Sequence, residues 1–232
     1  MTLPNIRIIS SMATKPLLAE LVALYQTRHG QAVQVESVGG VDAAKRVQAD
    51  EAFDLVILAR NAIDSLAATG KLQRSSITDL VRSGVAVAVP AGAAHPDISS
   101  ADAVRQAVLD AATPGYSTGP SGVQLAQLFE RWGIAEQIKS RIVQAPPGVP
   151  VGTLIARGEV ALGFQQLSEL LNLPGVDLVG LLPPEIEIIT TFSGAVAASC
   201  AAVGPARELL AFLASPICAQ AIQRQGMEPA TS

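Results

Sequence analysis

Aromatic side chains make up only 3% of this 232-residue sequence and charged ones only 16%. A core with so few rings must be filled by Ala, Val, Leu and Ile, the usual content of parallel strands buried on both faces beneath helices. The formal net charge is −4, and no basic run is longer than two residues. Nucleic-acid binding needs a basic stripe with aromatics for stacking, so that class is excluded. Histidine is scarce too: His29 and His95 both fall in turn-like stretches, which argues against a Ser-His-Asp arrangement. No HExxH, P-loop or GxGxxG occurs, and no cofactor is expected. The two cysteines, Cys200 and Cys218, have no CxxC spacing, so no metal site is expected. They read as small buried residues, although an oxidising compartment would allow one disulfide between them.

Long apolar runs are also missing: none reaches the roughly 18 residues of a membrane span. The N-terminus, Met1 to Ile9, lacks a basic segment followed by a long apolar one and reads as the first strand of the fold. As it stands this predicts a cytoplasmic protein, or a periplasmic one if the sequence begins after processing. What is plentiful is hydrophobic residues, at 49%. That supports a sizeable core in one large domain or two lobes of roughly 100 residues each.

Strand and helix signals alternate along the chain. Ile6 to Ile9 is a β-branched strand. After Ser10-Ser11-Met12-Ala13-Thr14, with Thr14 as a candidate N-cap, Leu17, Leu18, Leu21 and Leu24 recur at helical spacing up to His29-Gly30. Residues 32–38 alternate as a strand, Gly39-Gly40 breaks it, and Asp42 opens a short helix. Residues 54–59 form an apolar strand and 61–69 a helix, with Gly70 as a candidate C-cap. This order implies a parallel sheet with right-handed crossovers. Ligands in such sheets lie outside the carboxyl ends of the strands. The exits here are Ser10-Ser11, Gly39-Gly40 and Ala59-Arg60. A further strand, 84–90, leads to a second set of units. In it Tyr116-Ser117, the loop Gly119-Pro120-Ser121-Gly122, the loop 145–150 containing Val149, and Gln165-Gln166 are the corresponding exits.

Several exits offer backbone N–H groups at a helix start, where the partial positive charge favours an anion. Any one of them is also what a plain strand-to-helix turn looks like. Arg60, directly after a buried strand, could hold a carboxylate through two parallel bonds. Lys15 and Lys45 are read in first helical turns, where a nearby anion would offset their charge. Gln165 and Gln166 supply amide donors and acceptors. The candidate binding set is therefore Ser10, Ser11, Met12, Ala13, Lys15, Gly39, Gly40, Val41, Arg60, Ser117, Pro120, Ser121, Gly122, Val149, Gln165 and Gln166.

The opening Ser10-Ser11-Met12-Ala13-Thr14, the Gly39-Gly40 loop, Phe53 to Leu58, the Gly119 to Gly122 loop, Gly158 to Gly163 and the ending from Ser215-Pro216 to Pro229 together resemble the periplasmic molybdate-binding protein family, the type II solute-binding proteins of ABC importers. The resemblance covers nearly the whole chain. It implies an α/β, two-lobed fold with two mostly parallel sheets flanked by helices and a ligand cleft between the lobes. Residues 1–84 plus 190–232 would form one lobe and 85–189 the other. It also implies a small anionic ligand and an ABC permease as partner. The family binds a tetrahedral oxyanion through hydroxyls and N–H groups, and this sequence departs from that pattern. Ala13 stands at the family's first serine, Gly39-Gly40-Val41 at its serine cluster, Gln166 at its tyrosine and Arg60 at an acidic residue. Fewer hydroxyls and an added Arg point away from molybdate and towards a solute-binding protein that closes on a di- or tricarboxylate, with molybdate or another tetrahedral oxyanion as the weaker alternative. Gly163-Phe164-Gln165-Gln166 with Leu182-Pro183-Pro184-Glu185 is similar to the branch containing aconitate isomerase, which shifts a double bond in a tricarboxylate. For such chemistry the candidate bases are Lys15, Glu36, Lys45 and Tyr116.

Overall fold

The computed structural model describes residues 5–230; Met1 to Pro4 of the expected leading strand lie outside them. In chain order the elements are β1 (Ile6–Ser11), α1 (Lys15–His29), β2 (Val33–Val38), α2 (Gly40–Gln48), β3 (Leu55–Ala59), α3 (Arg60–Ala68) and β4 (Thr78–Pro90). There follow α4 (Ala101–Asp110), β5 (Pro114–Tyr116), α5 (Pro120–Arg131), α6 (Ala135–Ile138), β6 (Val143–Gln144), α7 (Val151–Ala156), β7 (Leu162–Gln166), α8 (Leu167–Leu170) and β8 (Val176–Leu181). The chain closes with β9 (Ile189–Val196), α9 (Val203–Leu213), α10 (Ala219–Arg224) and β10 (Glu228–Pro229). Two compact units result: one runs to Ser83 and resumes at Thr191, the other is Gly84–Thr190. β4 and β9 each contribute residues to both.

In the first unit β2, β1 and β3 are parallel neighbours, with Ser10 opposite both Ser37 and Ile57. β9 joins β3 antiparallel, and β10 joins β4 antiparallel. The alternation of side chains along a strand sorts the core into two layers. Ile8, Leu55 and Ile57 pack with α1, α9 and α10, whereas Ile9, Val56 and Leu58 pack with α2 and α3. Leu17, Leu18 and Leu21 are all buried, so the leucine spacing does mark the inner face of α1. Gly30 ends that helix in the left-handed conformation, at φ 66°.

In the second unit β6, β5 and β7 are parallel, β4 lies antiparallel to β7, and β8 pairs with β4. The same alternation acts in β4. Val85, Val87 and Val89 face a layer containing Leu125, Phe129 and Phe164, while Ala86 and Ala88 face α7. Half of the aromatics sit in this unit: the Phe129 ring lies 6.0 Å from Tyr116 and 6.1 Å from Phe164, centroid to centroid.

Several sequence expectations need correction. The exit at Gly119 is shorter than expected, because Pro120, Ser121 and Gly122 form the first turn of α5; proline's fixed φ suits a first helical turn. α2 begins at Gly40 rather than Asp42, which puts Lys45 in its last turn, not its first. β4 starts at Thr78, and β8 has no counterpart in the sequence reading. Thr14 precedes α1 but does not cap it; its hydroxyl turns back to the Ser11 carbonyl at 3.1 Å. Among the described residues no helix is long and apolar enough to cross a membrane. Cys200 and Cys218 are free and buried.

Candidate functional site

In the first unit the parallel pairing puts the carboxyl ends of β1, β2 and β3 on one side of the sheet. Each strand turns there almost at once into a helical segment. β1 runs through Ser10 and Ser11 into a short 3-10 turn, Met12–Thr14, and then α1. Ser10 is fully buried and shares a 2.7 Å hydroxyl–hydroxyl bond with Ser37. Ser11 is only 7% exposed, and its hydroxyl has no hydrogen-bond partner among the described residues. A Cβ added at Gly40 would lie 3.8 Å from the Ser11 Cβ, so this hydroxyl sits beside the first turn of α2.

The residues before α2 and α3 are Gly39 and Ala59, and neither helix has a side-chain cap. Their first-turn N–H groups are therefore left to other acceptors. Of the α-helices among the described residues, α4 alone has a side-chain cap: the Ser100 hydroxyl accepts the Ala103 N–H at 3.2 Å. Val41, in the first turn of α2, is exposed, Met12 is half-buried and Ala13 is buried.

Arg60 is the first residue of α3. Its Nε donates to both oxygens of Asp64, at 3.0 and 3.1 Å, and its Nη1 to Asp79 at 2.8 Å. Asp79 also accepts from the Ser193 hydroxyl at 2.6 Å. Burial pushes the Asp79 carboxyl up, but the bonds from Ser193 and Arg60 outweigh it and hold the group below its ordinary value. Arg60 is thus oriented by two carboxylates, while its Nη2 has no hydrogen-bond partner among the described residues. Lys15 is exposed at the start of α1.

The second unit repeats the arrangement at the carboxyl ends of β5, β6 and β7. Gly119 precedes α5 with no side-chain cap, and a Cβ there would lie 3.6 Å from the Ser117 hydroxyl. Ser121 is buried in the first turn. Gly122 is required for packing: a Cβ there would come within 1.7 Å of the Ser117 carbonyl oxygen. Val149 donates its N–H to the Pro146 carbonyl at 3.0 Å. Gln165 is used at both ends, since its Oε1 accepts the Gly152 N–H at 2.9 Å and its Nε2 donates to Glu169 at 2.8 Å. Gln166 donates from Nε2 to Thr190 at 2.8 Å, while its buried Oε1 has no partner among the described residues.

Two of the bases expected from sequence are already engaged. Glu36 is held below its ordinary value by the Arg46 guanidinium, with which it forms an ion pair. Tyr116 packs on Phe129, and burial raises its hydroxyl. Sequence reasoning passed over Glu169, three positions beyond Gln166. Part of this residue reaches the surface, yet its carboxyl is surrounded by protein. Burial pushes it up to about 7, against a weaker opposing effect of the Gln165 bond. The available signal was an acid among leucines, Leu167-Ser168-Glu169-Leu170-Leu171.

The profile of the bacterial extracellular solute-binding protein family matches residues 6–228. An aconitate isomerase from a Pseudomonas species is 37% identical over 233 residues, covering 97% of this chain and 88% of that protein. The Azotobacter vinelandii periplasmic molybdate-binding protein superposes with a TM-score of 0.81 at 16% identity, over 96% of this chain and 98% of its own. The sulfate-binding protein SubI of Mycobacterium tuberculosis gives 0.80 at 16% identity, over 98% and 87% respectively. These two likenesses bear out the α/β type II binding-protein fold. With a profile match across nearly every described residue and a relative aligned along almost its full length, the chain belongs to the bacterial extracellular solute-binding protein family.

Proposed function

We propose that this chain binds a small tricarboxylate of the aconitate type and isomerises its double bond. The observation that carries the reading is the 37% identity, sustained over 97% of the chain, with a protein named for that activity. The local chemistry supports an anionic ligand. The first turns of α2, α3 and α5 are uncapped, and the Ser11 hydroxyl lies buried and unpartnered beside one of them. Such N–H groups favour negative charge. Arg60 adds a guanidinium, preset by Asp64 and Asp79, with Nη2 left for a ligand carboxylate.

The test uses the purified full chain. A thermal-shift series would run cis- and trans-aconitate, tricarballylate, citrate, succinate, molybdate, tungstate, sulfate and phosphate, with proton NMR following cis-aconitate over time. A ligand at 100 times its dissociation constant adds about 2.7 kcal/mol of stability, roughly 5–10 °C for a chain of this size. The expected result is a shift with the tricarboxylates and conversion of cis- to trans-aconitate. Binding without conversion would make the chain a carboxylate-binding receptor of the kind that hands its ligand to a permease. A shift with molybdate or sulfate alone would overturn the carboxylate reading.

A further inference from the structure

Moving a double bond along an allylic tricarboxylate needs a base that lifts a proton from the saturated carbon and an acid that returns one to the far end of the allyl system, and a single carboxyl can serve as both. Three of the four acid–base side chains expected from sequence are poorly placed for this, and the fourth, Lys15, is exposed at the start of α1. Glu36 is paired with Arg46, Tyr116 is packed in the aromatic layer, and Lys45 lies in the last turn of α2, away from the strand end. Resting on the isomerase reading above, we propose that Glu169 is the residue that carries this proton.

Position supports it. Glu169 lies in α8, which follows β7 without a break, at the sheet end where ligands of such folds sit. It follows Gln166, whose Oε1 is buried with no partner among the described residues. Orientation supports it as well. Oε1 of Glu169 accepts the Gln165 amide at 2.8 Å, and that amide is in turn fixed by the Gly152 N–H. The second carboxyl oxygen has no hydrogen-bond partner among the described residues. One oxygen is held and the other is left unpaired, as expected of a base that must take a substrate proton.

The surroundings match the task. No cation offsets the burial of this carboxyl. The charged groups on neighbouring elements are engaged elsewhere: Arg157, beyond the end of α7, lies 3.9 Å from Glu159, and Asp177 of β8 accepts the Gly92 N–H. The carboxyl is therefore pushed up to about 7, near the value at which a group both takes and gives a proton readily at neutral pH.

The step balances without any co-reactant. The Glu169 carboxylate takes a proton from the substrate methylene. The electrons of that C–H bond form the new C=C, and those of the old C=C pass to the far carbon, where the adjoining carboxylate stabilises them. The protonated Glu169 then delivers its proton to that carbon. A C–H bond forms there, the double bond has moved, and Glu169 is a carboxylate again.

The experiment compares the wild-type full chain with Glu169→Gln and Glu169→Asp. Turnover of cis-aconitate is followed by proton NMR across pH 5 to 9, and binding by the thermal shift with tricarballylate, which cannot isomerise. Glu169→Gln keeps a hydrogen-bond acceptor for Gln165. It is expected to retain the tricarballylate shift while losing at least 100-fold in kcat. Glu169→Asp should retain part of the turnover. In the wild type, kcat/KM should rise tenfold per pH unit and level off near pH 7. A Glu169→Gln protein that turns over within fivefold of wild type, or a wild-type profile flat through pH 7, would overturn the role of Glu169 alone. A wild type that binds tricarballylate but leaves aconitate unchanged would overturn the isomerase reading, and this role with it.

Discussion

At the residue scale, the site rests on a few polar atoms whose partners are missing or whose geometry is imposed by neighbours. Ser11 is the plainest case, a buried hydroxyl beside an uncapped helix start. If Ser11 donates to the proposed anion, Ser11→Ala should weaken tricarboxylate binding roughly threefold to tenfold, since such a bond contributes about 1 kcal/mol. Titration calorimetry reads this directly, and an unchanged affinity would remove Ser11 from the site. Arg60→Ala should cost more, at least tenfold in affinity, because a charge-assisted bond contributes about 1.5–3 kcal/mol. Its exposed pairs with Asp64 and Asp79 contribute little to folding, so the melting temperature of the free protein should barely move. Ser11 and Arg60 were legible as exit residues because apolar strands announce their own ends. Glu169 was not: its significance comes from the Gln165 amide and the protein packed round its carboxyl, which no spacing in the sequence displays.

At the scale of elements, α4 is the one α-helix among the described residues whose first turn a side chain closes. α4 is closed by Ser100. Ser100→Ala should lower stability by about 1 kcal/mol, as for other N-caps, with no effect on ligand affinity; denaturant unfolding and a binding isotherm check both halves. α5 is seated differently. Gly122 lets its first turn approach the Ser117 carbonyl, where a Cβ would fall at 1.7 Å. Gly122→Ala should therefore destabilise the protein by about 1–3 kcal/mol through overpacking, and a midpoint equal to wild type in urea would refute that packing. Most helices were readable from apolar spacing and punctuation, with ends wrong by a few residues; α6 and α8 were not read. β8 was not readable, because Val176–Leu181 carries an Asp and a Gly and finds its strand geometry in pairing with β4.

At the scale of the molecule, stability and the proposed chemistry meet in Glu169. Its folded-state value, about 7, stands above the ordinary 4.5. The folded state therefore holds the proton more tightly than the unfolded chain. This contribution is fully present below about pH 4.5 and is lost as pH rises through 7. Glu169→Gln should accordingly lose less thermal stability than wild type between pH 5 and pH 8, and parallel pH curves would show the carboxyl to be ordinary. By itself the sequence determined the class of the fold, its alternating strands and helices and the helix starts suited to an anion, because apolar periodicity, glycine and proline act over a few residues. Only the tertiary structure decided which strands run antiparallel, which amides are already engaged and which hydroxyl is left over. Those depend on groups far apart in the chain, such as Asp79 with Ser193 or Gly152 with Gln165, meeting in the folded state.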